Sequence, residues 1–273
     1  MSCLRFLHTW RPIIRRAVLP RNSGAGRFGL IVLMLMTVWG ADSGAAACDR
    51  DRLIVALDIG HSVASPGATS ARGRPEHAFN VDLASQVLAH MHAAGLSGAA
   101  LIAPADAALD LWERPRRAAA MGAHLLLSIH HDSVQPRYLE QGTLDGRPAR
   151  FSRHAQGYSL FISGKNLFPE ESLAVAKAIG RALADWGLSP SLHHAEPIAG
   201  ENRPLLDPDL GIYDFADLVV LKAAAMPAVL IEAGVIVHPE EEARLRDPFH
   251  QDILAEAITR GVVEACGVLV GGE

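Results

Sequence analysis

"LLLSIHHDS", residues 125–133, sets four apolar side chains against two adjacent histidines and an aspartate. Leu125, Leu126, Leu127 and Ile129 show no polar alternation, so the run reads as a strand buried on both faces, as in a parallel sheet. Strands seldom end in imidazoles. His130 and His131 are therefore either the wet end of a strand or the holders of something.

Two other runs have the same form. "RLIVALDIGH" (52–61) is an apolar strand that ends in Asp58, Gly60 and His61, and "AVLIEAG" (228–234) is one that presents Glu232. Between the first two lie a long Gly-, Pro- and Ser-rich loop (62–75) and "EHAFNVDLASQVLAHMHAAG" (76–95). In that last segment Phe79, Leu83, Val87, Leu88 and Met91 fall at helical spacing and Gly95 marks the stop. "SGAALIAP" predicts a short second strand, followed by a helix near 109–122. "YSLFIS" (158–163) resumes the sheet, and "EESLAVAKAIGRALADWG" (170–187), "HPEEEARL" and "FHQDILAEAITRGVVEAC" read as helices. The polar stretch 134–156 is too long for an ordinary connection and reads as a lid or binding loop. A second polar stretch runs to about 215. Alternating strands and helices, with no repeat and no linker, predict one α/β domain: a mostly parallel twisted sheet with helices on both faces.

The first 47 residues stand apart. Six arginines without an acid occupy residues 1–29, "LIVLMLMTVW" (30–39) is apolar, and small residues follow up to Ala45–Ala47. This is the pattern of a secretory signal peptide, residues 1–47, ahead of a mature domain 48–273. The competing reading, an uncleaved anchor, asks a ten-residue run to span a membrane that needs about 20. Cleavage removes six of the 25 basic residues and one of the 30 acids, so the mature chain carries a net charge of −10. That balance argues against nucleic acid or an anionic membrane surface as partner. Of the two cysteines left, Cys48 and Cys266, one lies at each end. An end-to-end disulfide fits an oxidising compartment. The alternative makes Cys48 a lipid-modified first residue, but Ala45 stands where that signal usually has a larger apolar side chain.

Three strands thus end, at their C-terminal edge, in groups that ligate metals or move protons: His61, His130 and Glu232. In open α/β sheets that edge is where ligands bind. A fourth group, Glu76, opens a helix, where a carboxylate also complements the helix dipole. A carboxylate at the end of an apolar strand normally has a cation nearby, because an unpaired buried charge is costly. Two His and one Glu make a three-ligand set that leaves Zn²⁺ an open position, and the remaining Glu can act as general base.

"LDIGH", a Glu opening a helix, "SIHHD", and "PAVLIEAG" with "EEEARL" after it resemble, in order and spacing, the motif series of zinc-dependent N-acetylmuramoyl-L-alanine amidases. The arginine-containing "LWERPRRAAAMGAHLLLSIH" resembles the family's helix ahead of the third strand. The likeness covers about residues 52–265. It implies a zinc amidase domain with His61, Glu76 and His130 as metal ligands and Glu232 as the catalytic carboxylate. It further implies peptidoglycan or a muropeptide as substrate, a periplasmic or secreted location, a monomer, and in some members a protein activator. The family has a small residue where His131 stands, and strand alternation sends His130 and His131 to opposite faces, so His130 is the expected ligand. His77, His193, His194 and His238 have no place in the motif and are expected at the surface or the substrate rim. Asp132 either orients a ligand or is a solvated turn residue. The rival readings are a zinc carboxypeptidase or related amidohydrolase, and a non-catalytic cell-wall binding protein. A His and Glu only three apart on one loop would favour the former, whereas His61 and Glu76 are fifteen apart.

Overall fold

The apolar run that begins at Leu125 forms β3 (Leu125–Asp132), near the middle of a seven-stranded sheet. The computed structural model describes residues 48–270, so the signal-peptide reading lies outside the described residues. Strand β1 (Val55–Ile59) pairs in parallel with β3 and with the short β2 (Ala100–Leu101). On its other side β3 pairs in parallel with β9 (Ala228–Val235). Next comes β6 (Ser159–Ile162), antiparallel to β9 and parallel to β8 (Ile212–Asp214), and β7 (Leu205–Asp207) closes the edge antiparallel to β8. The order is β2-β1-β3-β9-β6-β8-β7. The sheet is mostly parallel, as the sequence predicts.

Alternation along the central strands builds two cores. Val55, Leu57, Ile59, Leu125, Leu127, Ile129, Val229 and Ile231 face a larger core. It is covered by α1 (Glu76–Ala93), α3 (Pro169–Asp185) and α6 (Pro248–Val270), with α5 (Pro239–Leu245) beside them. Ala56, Leu126, Ala228 and Leu230 face a smaller core on the other side, under α2 (Glu113–Ala120) and α4 (Val219–Lys222). Helices therefore cover both faces. Each fully buried Leu or Ile contributes about 1.5–3 kcal/mol relative to exposure, so the central strands hold the register on which the site depends.

Two polar stretches hold regular elements that the sequence reading does not place. The first is residues 134–156, expected as a lid or binding loop. They contain a one-turn 3₁₀ helix at Pro136–Tyr138 and an antiparallel hairpin of β4 (Glu140–Leu144) and β5 (Arg147–Phe151). Asp145 (φ 52°) and Gly146 (φ 75°) make its two-residue turn, and Asp-Gly is a favoured pair where both residues need positive φ. The stretch before residue 215 likewise holds β7 and β8, which are too short for periodicity to reveal. Cys48 and Cys266 form a disulfide with Cα atoms 5.3 Å apart, tying the first of the described residues to α6. This is the first of the two readings their positions allow. Among the described residues no helix is long and apolar enough to cross a membrane.

Candidate metal centre and active site

His61 follows β1 with φ of 65°, a left-handed conformation uncommon for a residue with a Cβ. Buried Arg114 of α2 holds it there. The guanidinium donates Nη2 to the His61 carbonyl (2.7 Å) and Nη1 to Asp58 Oδ1 (2.6 Å) and the Ile59 carbonyl (2.7 Å). The Ser128 hydroxyl donates to the other Asp58 oxygen at 2.7 Å. Arg114 is the first of the three arginines in the stretch 111–130, and its work here is to clamp the end of β1.

Glu76 opens α1 and turns its carboxylate between two imidazoles. Oε2 lies 3.0 Å from His61 Nε2, and Oε1 lies 3.0 Å from His130 Nδ1. The Ala68 amide donates to Oε2 at 3.0 Å, which fixes the glycine-rich loop against the cluster. Two glycines make the approach possible. A Cβ at Gly60 would stand 2.4 Å from His130 Nε2, so only glycine lets that ring lie across the end of β1. At Gly67 (φ 77°) a Cβ would stand 2.3 Å from Glu76 Oε2. Burial alone would push the Glu76 carboxyl up, but hydrogen bonds from His130 and His61 outweigh it and hold it well below the usual carboxylate range. Three ligand atoms within 4.8 Å of one another form a group able to hold a metal ion. Tetrahedral zinc with bonds of about 2.0–2.1 Å places its ligand atoms roughly 3.3 Å apart, close to what this cluster presents.

His131 goes elsewhere. It is buried beneath α1 with Nδ1 2.8 Å from Asn80 Oδ1, and its ring packs on Phe79. Burial pulls its pKa down to about 3, so it is a neutral core histidine. Strand alternation separates the neighbours as anticipated.

Glu232 sits opposite His130 in the β3–β9 register. Its Oε2 is buried without a hydrogen-bond partner. Burial raises its pKa well above the usual range, and the neighbouring Asp132 and Glu76 carboxylates add to this, with Arg203 opposing. The structure thus brings all four expected site residues to the C-terminal ends of β1, β3 and β9 and the start of α1.

The four histidines with no place in the motif, expected at the surface or the substrate rim, are all buried. His77 bridges the Gly60 and Ala105 carbonyls through its two ring nitrogens, each at 2.9 Å. His238 caps α5 by accepting the Glu241 amide. His193 and His194 lie in a 3₁₀ turn (His193–Ala195) that packs against Asp132, at the bulged end of β3. Asp132 is therefore a buried partner and not a solvated turn. No local pattern marks His193 and His194, because the Asp132 carboxylate they face lies about 60 positions away in the chain.

Such an arrangement, a carboxylate between two imidazoles and a buried second carboxylate at the ends of parallel strands, defines a hydrolase of α/β architecture with a candidate metal centre. Residues 55–264 match the family model described as N-acetylmuramoyl-L-alanine amidase, and the chain belongs to that family. Among curated relatives, N-acetylmuramoyl-L-alanine amidase AmiA of Escherichia coli is 25% identical over 238 residues, covering 84% of this chain and 82% of the relative. The crystal structure of the N-acetylmuramyl-L-alanine amidase Ami1 from Mycobacterium smegmatis superposes with a TM-score of 0.61 at 25% identity, covering 80% of this chain and 98% of that one. The catalytic domain of CwlV, an amidase from Bacillus (Paenibacillus) polymyxa var. colistinus, gives 0.58 at 25% identity, covering 78% and 97%.

Proposed function

We propose that the mature chain is a zinc enzyme of the cell envelope. It hydrolyses the amide joining the lactyl group of N-acetylmuramic acid to the L-alanine of the peptidoglycan stem peptide. His61, Glu76 and His130 hold the ion and Glu232 is the base. The observation that carries this reading is the His61–Glu76–His130 cluster with the unpartnered Glu232 oxygen at the same sheet edge, in a chain that matches the amidase family along most of its length.

The donor set fits zinc: two nitrogens and one carboxylate leave an open position. Bound there, the ion supplies Lewis acidity toward the scissile carbonyl and a water molecule. The chain does the rest. Arg114 and the Ala68 amide hold His61 and Glu76 in place, and Gly60 and Gly67 leave room for the rings. Glu232, short of hydrogen-bond donors and raised by burial, takes a proton from the attacking water and returns it to the leaving amine. Export is supported by the basic and apolar segments before Ala47 and by the Cys48–Cys266 pair, which suits an oxidising compartment.

Purified sacculi incubated with the mature chain test the proposal. The expected product is a free stem peptide with a new L-alanine amino terminus beside intact glycan, lost on chelation and restored by zinc. Release of a C-terminal amino acid would instead indicate a carboxypeptidase. Binding to sacculi without product would indicate a non-catalytic cell-wall protein.

A further inference from the structure

A second cluster of metal-binding side chains lies outside the one just described. His193 Nε2 stands 3.5 Å from Asp132 Oδ2, and His194 Nε2 stands 2.8 Å from the same oxygen. The ligand atoms of all three residues fall within 4.8 Å of one another, and all three residues are buried. The two separations straddle the roughly 3.3 Å expected between ligand atoms of a tetrahedral ion.

Several further observations point to a ligand. His193 is only 7% exposed, yet its Nε2 has no hydrogen-bond partner and is aimed at Asp132. An unpaired buried nitrogen of this kind is costly unless something occupies it. Both rings are also held from behind, as ligating imidazoles usually are. His194 Nδ1 lies 2.8 Å from Glu201 Oε2, and His193 Nδ1 lies 2.9 Å from the Ser191 hydroxyl. Glu201 is itself held by Gln135 at 2.6 Å and by Arg203. Each imidazole therefore turns Nε2 toward Asp132, that of His194 hydrogen-bonded to it at 2.8 Å and that of His193 standing 3.5 Å away. In the first cluster two imidazoles likewise flank one carboxylate at 3.0 Å, there one on each oxygen, whereas here both face Asp132 Oδ2.

We propose that Asp132, His193 and His194 form a second binding site for a divalent cation of the zinc class. Its donor set, two nitrogens and one carboxylate oxygen, equals that of the first. An ion here ties the 3₁₀ turn at His193–Ala195 to the bulged end of β3. Asp132 is one of the two carboxylates that act on Glu232, the other being Glu76 of the first cluster. Charge bound at Asp132 therefore bears on the proposed base as well as on the loop.

The competing occupant is a proton. Burial pulls the His194 imidazole down, but Asp132 and Glu201 carry it up to about 9, so an imidazolium can supply the positive charge between these carboxylates. Zinc would displace that proton on binding.

Metal-stripped mature chain titrated with zinc against a chromophoric chelator separates the two occupants. The expected result is two equivalents per chain for the unaltered protein and one for Glu76→Ala, whose remaining equivalent belongs to the second cluster. His193→Gln should also bind one. Combining Glu76→Ala with His193→Gln should bind none. Glu201→Gln should weaken the second equivalent by about 10- to 100-fold while leaving the first in place. Circular dichroism of each stripped variant checks folding, and Asp132→Asn serves if His193→Gln does not fold. Cobalt(II) gives an independent signature: two additive visible bands, one lost in Glu76→Ala and the other in His193→Gln. A single equivalent that Glu76→Ala abolishes and His193→Gln leaves intact would overturn the proposal and leave a proton between Asp132 and Glu201. That result would not touch the first centre, whereas loss of zinc at both clusters would count against both.

Discussion

Replacing Arg114 by Met tests how the fold reaches into the site. The guanidinium is 5% exposed and Asp58 is 1% exposed, so the substitution leaves a buried carboxylate with only the Ser128 hydroxyl, and two backbone carbonyls lose their donor. Breaking a buried ion pair by removing one partner typically costs about 3–5 kcal/mol. For a domain of this size each kcal/mol lowers Tm by about 2–4 °C, so a fall of about 6–20 °C is expected in calorimetry. Adding Asp58→Asn to Arg114→Met removes the stranded charge and should restore about 0.5–3 kcal/mol, the usual size of coupling between contacting residues. A structural clamp alone would stop there. Because Nη2 holds the carbonyl of His61, which has a left-handed backbone, zinc affinity should also fall by about 10- to 100-fold in the double variant, where the fold is largely recovered. Arg114→Met with a Tm within 2 °C of the parent, or a double variant no more stable than the single one, would refute the energetic argument. Full zinc affinity in the double variant would refute the link to the site.

Glu232→Gln keeps the side chain's size and removes the base, so zinc should stay bound while hydrolysis of sacculi falls by roughly 10² to 10⁴. Loss of zinc with activity would make Glu232 a ligand. In equilibrium dialysis Glu76→Ala and His130→Ala should lose the first zinc equivalent, and His131→Ala should keep it. That last variant should instead lose about 1–3 kcal/mol of stability, because Asn80 is left without its partner. Cys48 and Cys266 are 218 positions apart, and a closed loop of that length gives a chain-entropy stabilisation of about 5 kcal/mol. Protein from an oxidising compartment should show a two-hydrogen mass deficit, and reduction should lower Tm by about 10–20 °C. Two free thiols or a lipid adduct on Cys48 would reject the pairing.

Much of this molecule was legible in one dimension because its central strands bury both faces. Apolar runs at 53–57, 125–129 (broken only by Ser128) and 228–231 announce themselves without alignment, and the polar residue that ends such a run stands at the sheet edge. His61, His130 and Glu232 were read that way, and Glu76 came from the helix start beside them. The period of two along a strand also separated His130 from His131 before any contact was known. Tertiary structure decided what depends on partners distant in sequence. The hairpin at 140–151 is exposed, and the edge strand β7 and its buried neighbour β8 are only three residues long, so none leaves a periodic signal. His77, His193, His194 and His238 have no place in the motif, which on sequence alone assigns them to the surface or the substrate rim. They are buried because a histidine with both ring nitrogens engaged, or with a carboxylate brought to it from a strand about 60 residues away, no longer needs water. Burial of a polar side chain is a property of its partners, and those exist only once the chain has folded.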